Sequence, residues 1–146
     1  MKRAVLLIVC ILSLSLLCGC GTKEQSNMAT ESAKTATFIN VASDADIWIL
    51  PQTTENLKTT LWGTATAADV KKGESRQLPL CEPGENGLYI FRMIDTDGFY
   101  YSANGISLGA DYTLRIKETD PMSYTLEVSD ETGALQNTYE VFAARL

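Results

Sequence analysis

Tyr112-Thr113-Leu114-Arg115-Ile116-Lys117, followed after a turn by Met122-Ser123-Tyr124-Thr125-Leu126-Glu127-Val128-Ser129, decides the fold class of this chain. Apolar and polar residues alternate in both runs. A period of two places one set on a core face and the other in water. The break at Glu118–Pro121 makes the pair a half-buried antiparallel hairpin. Upstream, Leu88–Asp95 is apolar on both faces, with Leu88, Ile90 and Ile94 on one side and Tyr89, Phe91 and Met93 on the other. That is the pattern of a central strand. Asp95-Thr96-Asp97-Gly98 turns the chain into Phe99-Tyr100-Tyr101, and Asp130–Gly133 turns it into Leu135–Phe142.

Shorter segments precede these: Phe38–Val41, Ile47–Leu50 stopped by Pro51, and Ser75–Leu80 after the turn Lys71-Lys72-Gly73-Glu74. Residues 52–60 read as a polar loop, and Thr64–Val70 is the one place that suits a helical turn. No stretch reads as an amphipathic helix. About eight strands separated by turn residues predict an all-β domain over residues 36–146. The expected architecture is a single antiparallel β-sandwich, Ig-like or related.

The amino-terminal end has a different character. Lys2 and Arg3 precede an apolar run, Ala4–Leu17, interrupted by Cys10, Ser13 and Ser15. The run is shorter than the roughly 20 residues of a spanning helix and fits the roughly 7–15 of a secretory signal core. It ends in Leu17-Cys18-Gly19-Cys20, which resembles the bacterial lipobox. The resemblance implies a signal peptide over residues 1–19, cut between Gly19 and Cys20. It also implies a diacylglyceryl group on the Cys20 thiol and often an acylated (palmitate-type) amino terminus. Two or more acyl chains hold a protein stably on a bilayer. The expected location is therefore extracytoplasmic, with the chain anchored to a bacterial membrane as a lipoprotein. Polar residues 20–35 read as the lipidated cysteine and a flexible tether.

The cysteine count follows from this placement. Cys10 and Cys18 leave with the signal, Cys20 takes the lipid, and Cys81 stays single at the end of a predicted strand. A buried structural thiol is the expectation there, with a reactive or intermolecular thiol as the alternative. The chain carries a net charge of −6, which becomes more negative once Lys2 and Arg3 are removed. No basic cluster exceeds Lys71-Lys72, so phosphate neutralisation of the kind nucleic acids require is disfavoured. The chain has no His, which excludes Ser-His-Asp and Cys-His catalysis and the common His-based zinc sites. No motif implies a cofactor, and no pair of carboxylates stands out as catalytic.

Asn40, Ile47–Pro51, Trp62-Gly63, Gly73–Leu80, Leu88–Ile94, Asp95–Gly98 and Tyr100-Tyr101 together resemble a family of small, mostly uncharacterised bacterial secreted domains. The resemblance covers about half of the chain. It implies a β-sandwich exported to the envelope or surface, and it carries no catalytic residue.

Three groups are candidates for binding. Asp95 and Asp97 beside Gly98 have the chemistry of a Ca2+ site, although the same residues are ordinary hairpin-turn formers. Tyr100 and Tyr101, with Phe99, Trp48 and Trp62, suit a stacking platform for a sugar or peptide. Adjacent strand residues point to opposite faces, so only one of the two tyrosines enters the core. Trp62 is expected to plug the core beneath the 52–60 loop, with Gly63 allowing close backbone approach, or else to stack on a ligand. The function expected is a non-enzymatic module contacting a protein or envelope partner, the alternative being a small-ligand binder for Ca2+ or carbohydrate.

Overall fold

The computed structural model describes residues 34–146. The expectations for residues 1–33, including cleavage after Gly19 and lipidation at Cys20, lie outside the described residues. Nine strands form: β1 Thr35–Ile39, β2 Ala45–Pro51, β3 Ala67–Val70, β4 Ser75–Pro79, β5 Leu88–Asp95, β6 Phe99–Ser107, β7 Tyr112–Asp120, β8 Ser123–Ser129 and β9 Leu135–Arg145. One short helix, α1 Thr54–Lys58, and a 3-10 turn at Glu85–Gly87 complete the elements among the described residues.

The strands hydrogen-bond in the order β3-β2-β5-β6-β9-β8-β7-β1-β4. The expected hairpin is β7–β8, with Leu114 opposite Val128 and Ile116 opposite Leu126, and all four side chains are fully buried. Two expectations need correction. The sheet is mixed rather than purely antiparallel, because β1 runs parallel to β7 with Phe38 opposite Leu114. The arrangement is also a single sheet curled into a nearly barrel-like form. Its bend lies in β9, which pairs with β8 up to Val141 and with β6 from Phe142 onward. The ends of the order, β3 and β4, approach each other across the Lys71–Glu74 turn.

The inward face packs Ile47, Phe91, Met93, Ile106, Leu114, Ile116, Leu126 and Val128 around a stacked Phe38–Phe91 pair with centroids 5.8 Å apart. Burying each of these side chains contributes about 1.5–3 kcal/mol. Asn40, fully buried, fastens the exit of β1. Its Nδ2 donates to the carbonyls of Ser43 (2.8 Å) and Val70 (2.9 Å), and its Oδ1 accepts from Ala42 N.

Residues 52–60 are not wholly loop. Thr53 caps α1, its hydroxyl accepting from Asn56 N at 3.0 Å, as N-cap threonines do. Thr64–Val70 holds no helical turn; it leads into β3, paired with β2. Cys81 is exposed rather than buried, one residue beyond the inward-facing Leu80. Partial desolvation holds its thiol above the ordinary value, which works against a reactive thiolate. Among the described residues no helix is long and apolar enough to cross a membrane.

Candidate functional site

Alternation along β6 sends Tyr100 and Tyr101 to opposite sides of the sheet. Tyr101 enters the core, edge-to-face with Tyr124 at 5.0 Å. Its hydroxyl donates to Asp95 Oδ2 at 2.9 Å, and Ser43 Oγ donates to the same oxygen at 2.8 Å. Asp95 Oδ1 accepts the backbone N–H groups of Asp97 (3.0 Å) and Phe99 (2.8 Å). Burial and the hydrogen bond to Asp95 push the Tyr101 hydroxyl far above the ordinary tyrosine value.

Asp95 thus organises the β5–β6 turn, with both oxygens engaged inside the fold. Asp97 lies exposed on that turn, beside a cleft of about 300 Å³ that Lys72, Glu118 and Met122 also line. Among the described residues no group of three or more acidic, Cys or His side chains is arranged to hold a metal ion. The Ca2+ chemistry expected of Asp95 and Asp97 has no such cluster behind it.

Tyr100 faces outward and meets the other aromatic candidates. Trp62 stacks on it, with ring centroids 5.4 Å apart and planes 16° from parallel. Trp48 meets Trp62 edge-on at 5.5 Å, and Phe142 meets Tyr100 edge-on at 6.5 Å. Four side chains from β2, the 59–66 segment, β6 and β9 therefore form a continuous aromatic row on the outer face. Such contacts are worth about 0.5–1.5 kcal/mol per pair beyond area burial.

The indole N–H groups fix the segment that carries Trp62. Trp62 Nε1 donates to Thr59 O at 2.9 Å, and Trp48 Nε1 donates to Gly63 O at 3.2 Å. Trp62 is consequently not a core plug; it belongs to the outer row. Gly63 serves the backbone, at φ +66, since a Cβ there would meet nothing within 4 Å. Close backbone approach occurs instead at Gly84, where a Cβ would lie 2.1 Å from Gln52 O.

Beside the row, α1 and the end of β9 enclose a second cleft of about 360 Å³, lined by Leu57, Lys58, Trp62, Arg92, Ile94 and Tyr100 among others. Arg92 is the residue that sequence reasoning missed. It stands on the outer face of β5, opposite Trp48 on one side and Ser102 on the other, only 4 % exposed. A bulge in β6 explains its partners: the register shifts between Tyr89 and Phe91, with Gly105 at φ +71. Arg92 Nη1 donates to Phe91 O (2.8 Å), Ala103 O (3.3 Å) and Asn104 Oδ1 (2.8 Å). Desolvation lowers the affinity of this guanidinium for its proton, opposed by nearby Tyr100, yet an arginine remains charged. A lone Arg inside an otherwise apolar central strand was the available signal.

The structure thus joins Trp62 and Tyr100 in one site and adds Trp48, Phe142 and Arg92. It places Asp95 and Tyr101 in a buried network, with Asp97 on the turn above. No family model, curated protein or solved structure matches the chain.

Proposed function

We propose that this chain is a non-enzymatic binding module, held outside the cytoplasm on a bacterial membrane by a lipidated Cys20. Its β-domain presents the outer aromatic face to a ligand. The observation that carries this reading is the cleft of about 360 Å³ beside the stacked Trp62–Tyr100 pair. It sits at the small end of the range for ligand sites, about 300–1,000 Å³. A rim of Thr59, Thr60 and Lys58 adds polar groups to an apolar wall, the mixture by which sugar rings are held. This favours the carbohydrate-binding alternative over Ca2+. A protein or envelope partner is the second reading, supported by the exposure of Leu61, Phe142 and Leu146 around the same face.

Both tryptophans of the chain lie in the aromatic row, so their fluorescence reports the site directly. Full chain in detergent titrated with a panel of neutral and acidic sugars is expected to change emission, and Trp62→Ala to abolish the change. Silence across the whole panel refutes the sugar reading. Anchoring is tested separately: Cys20→Ser protein is expected to leave the membrane fraction, and its retention there refutes the lipid anchor.

A further inference from the structure

We infer that the outer cleft recognises a sugar ring bearing a carboxylate, a uronic-acid-type ligand, with Arg92 as the carboxylate-binding residue; this rests on the ligand-binding reading above. A guanidinium offers five N–H donors in a fixed fork. Arg92 uses only Nη1, directed at the bulge carbonyls and Asn104. Nε and Nη2 have no acceptor among the described residues. No fully buried polar side-chain atom there lacks a partner, so these two nitrogens keep some access to solvent, and the residue they belong to lines the cleft. No carboxylate of the described residues lies within 4.0 Å of the guanidinium; the ion pairs present involve Lys71, Arg76 and Lys117.

The result is a desolvated cation with its fork unfilled, beside the stacked rings of Trp62 and Tyr100. A buried charge without a counter-ion is costly, and an incoming anion relieves that cost. The planar fork matches a carboxylate through two parallel bonds. A phosphate is the poorer fit, because the cleft provides one buried guanidinium and the exposed Lys58 at its rim, without a glycine-rich nest or a long helix end. The ring attached to the carboxylate lies against the aromatic wall, with the hydroxyls of Thr59 and Thr60 within the same rim.

The test varies the ligand before the protein, because Arg92 also caps the β6 bulge. Full chain in detergent is titrated with glucuronic acid, glucuronic acid methyl ester and glucose, read by tryptophan emission. Glucuronic acid is expected to bind about tenfold or more tightly than either uncharged sugar, the difference made by a charge-assisted bond pair. Arg92→Lys, checked by circular dichroism for native fold, is expected to lose that preference because an ammonium has no fork.

Equal binding of all three sugars overturns the carboxylate inference and leaves the sugar-binding reading standing. No response to any of them overturns both. A preference for indole acetate over glucuronic acid overturns the sugar part. Unchanged selectivity in folded Arg92→Lys removes Arg92 from the site.

Discussion

Replacing Asp95 tests whether the buried carboxylate holds the β5–β6 corner together. Four donors converge on it: the Tyr101 and Ser43 hydroxyls and the N–H groups of Asp97 and Phe99, at 2.8 to 3.0 Å. Hydrogen bonds to a charged group contribute about 1.5–3 kcal/mol each, and stranding a buried donor costs about 1–3 kcal/mol. The four are not additive, and the two N–H bonds at the turn are only partly buried. Asp95→Ala is therefore expected to cost about 3–5 kcal/mol, a large share of the roughly 5–15 kcal/mol of a typical domain. Asp95→Asn is expected to cost only about 1–2 kcal/mol. Its Oδ1 keeps both N–H groups, while its Nδ2 donates to the two hydroxyls, which accept as readily as they donate. Urea unfolding followed by circular dichroism measures both. Coupling is read by adding Tyr101→Phe, which should matter far less once Asp95 is gone. An alanine variant within about 1 kcal/mol of wild type, or equal costs for Ala and Asn, refutes this reasoning.

Gly84→Ala places a methyl 2.1 Å from Gln52 O, a backbone atom that cannot swing away. A cost of about 1–3 kcal/mol is expected in the same assay. Gly63→Ala, with open space but φ +66, should cost about 1–2 kcal/mol through the left-handed backbone alone. Asp44, Glu74 and Asp130 have carboxyls held below their ordinary values of 3.8, 4.5 and 3.8, chiefly by hydrogen bonds from Lys72 N, Lys71 N and Thr132 respectively. Their contribution is complete above those values and is lost as pH falls through the lower folded ones, so the urea midpoint should decline only in strongly acidic buffer. A midpoint constant to the bottom of that range contradicts the assignment. Cys81 should react with iodoacetamide more slowly than a free thiol at neutral pH, its rate still climbing past pH 9.0 where that of an ordinary thiol levels off, because partial desolvation pushes its thiol upward. Arg92→Gln, whose amide can still reach the bulge carbonyls, should match or exceed wild-type stability by about 1 kcal/mol while losing preference for the acidic sugar. A loss beyond about 2 kcal/mol marks Arg92 as a structural residue.

The parts of the fold legible in the sequence are those with a local period. Leu114, Ile116, Leu126 and Val128 alternate within one hairpin, and each is buried as its parity requires. Leu88–Asp95 reads as central because both of its faces are apolar, and it is flanked by β2 and β6. The parallel β1–β7 pairing leaves no such trace, since partners such as Phe38 and Leu114 are far apart in sequence. β3 has four residues and only its ends buried, a pattern shared with a helical turn. For the site, strand parity already sent Tyr100 and Tyr101 to opposite faces in the sequence, and the structure shows Tyr101 to be the buried one. Trp62 and Tyr100 were grouped by residue type, but their stacking is set by tertiary contact, and the lone Arg92 among apolar neighbours carries no local sign of the bulge it caps.

The position of Arg92 follows from how β5 is covered. One face of the strand meets the core through Tyr89, Phe91 and Met93. The other carries Ile90, Arg92 and Ile94, with Ile90 fully buried outside that core. Its cover is the 52–66 segment, fastened to β2 by the Trp48 indole N–H on Gly63 O and by Thr66 Oγ1 accepting from Ile49 N at 3.0 Å, and braced internally by the Trp62 indole on Thr59 O. A cover made of loop and one short helix leaves a gap at its edge, and that gap is the cleft. An apolar residue at position 92 would complete the outer layer without a desolvation cost. An arginine there caps the bulge with one nitrogen and leaves two without a protein acceptor among the described residues. Under the binding reading proposed above, the charge is costly to the empty fold and useful to an occupied one, the relation expected where binding rather than stability sets the choice of side chain.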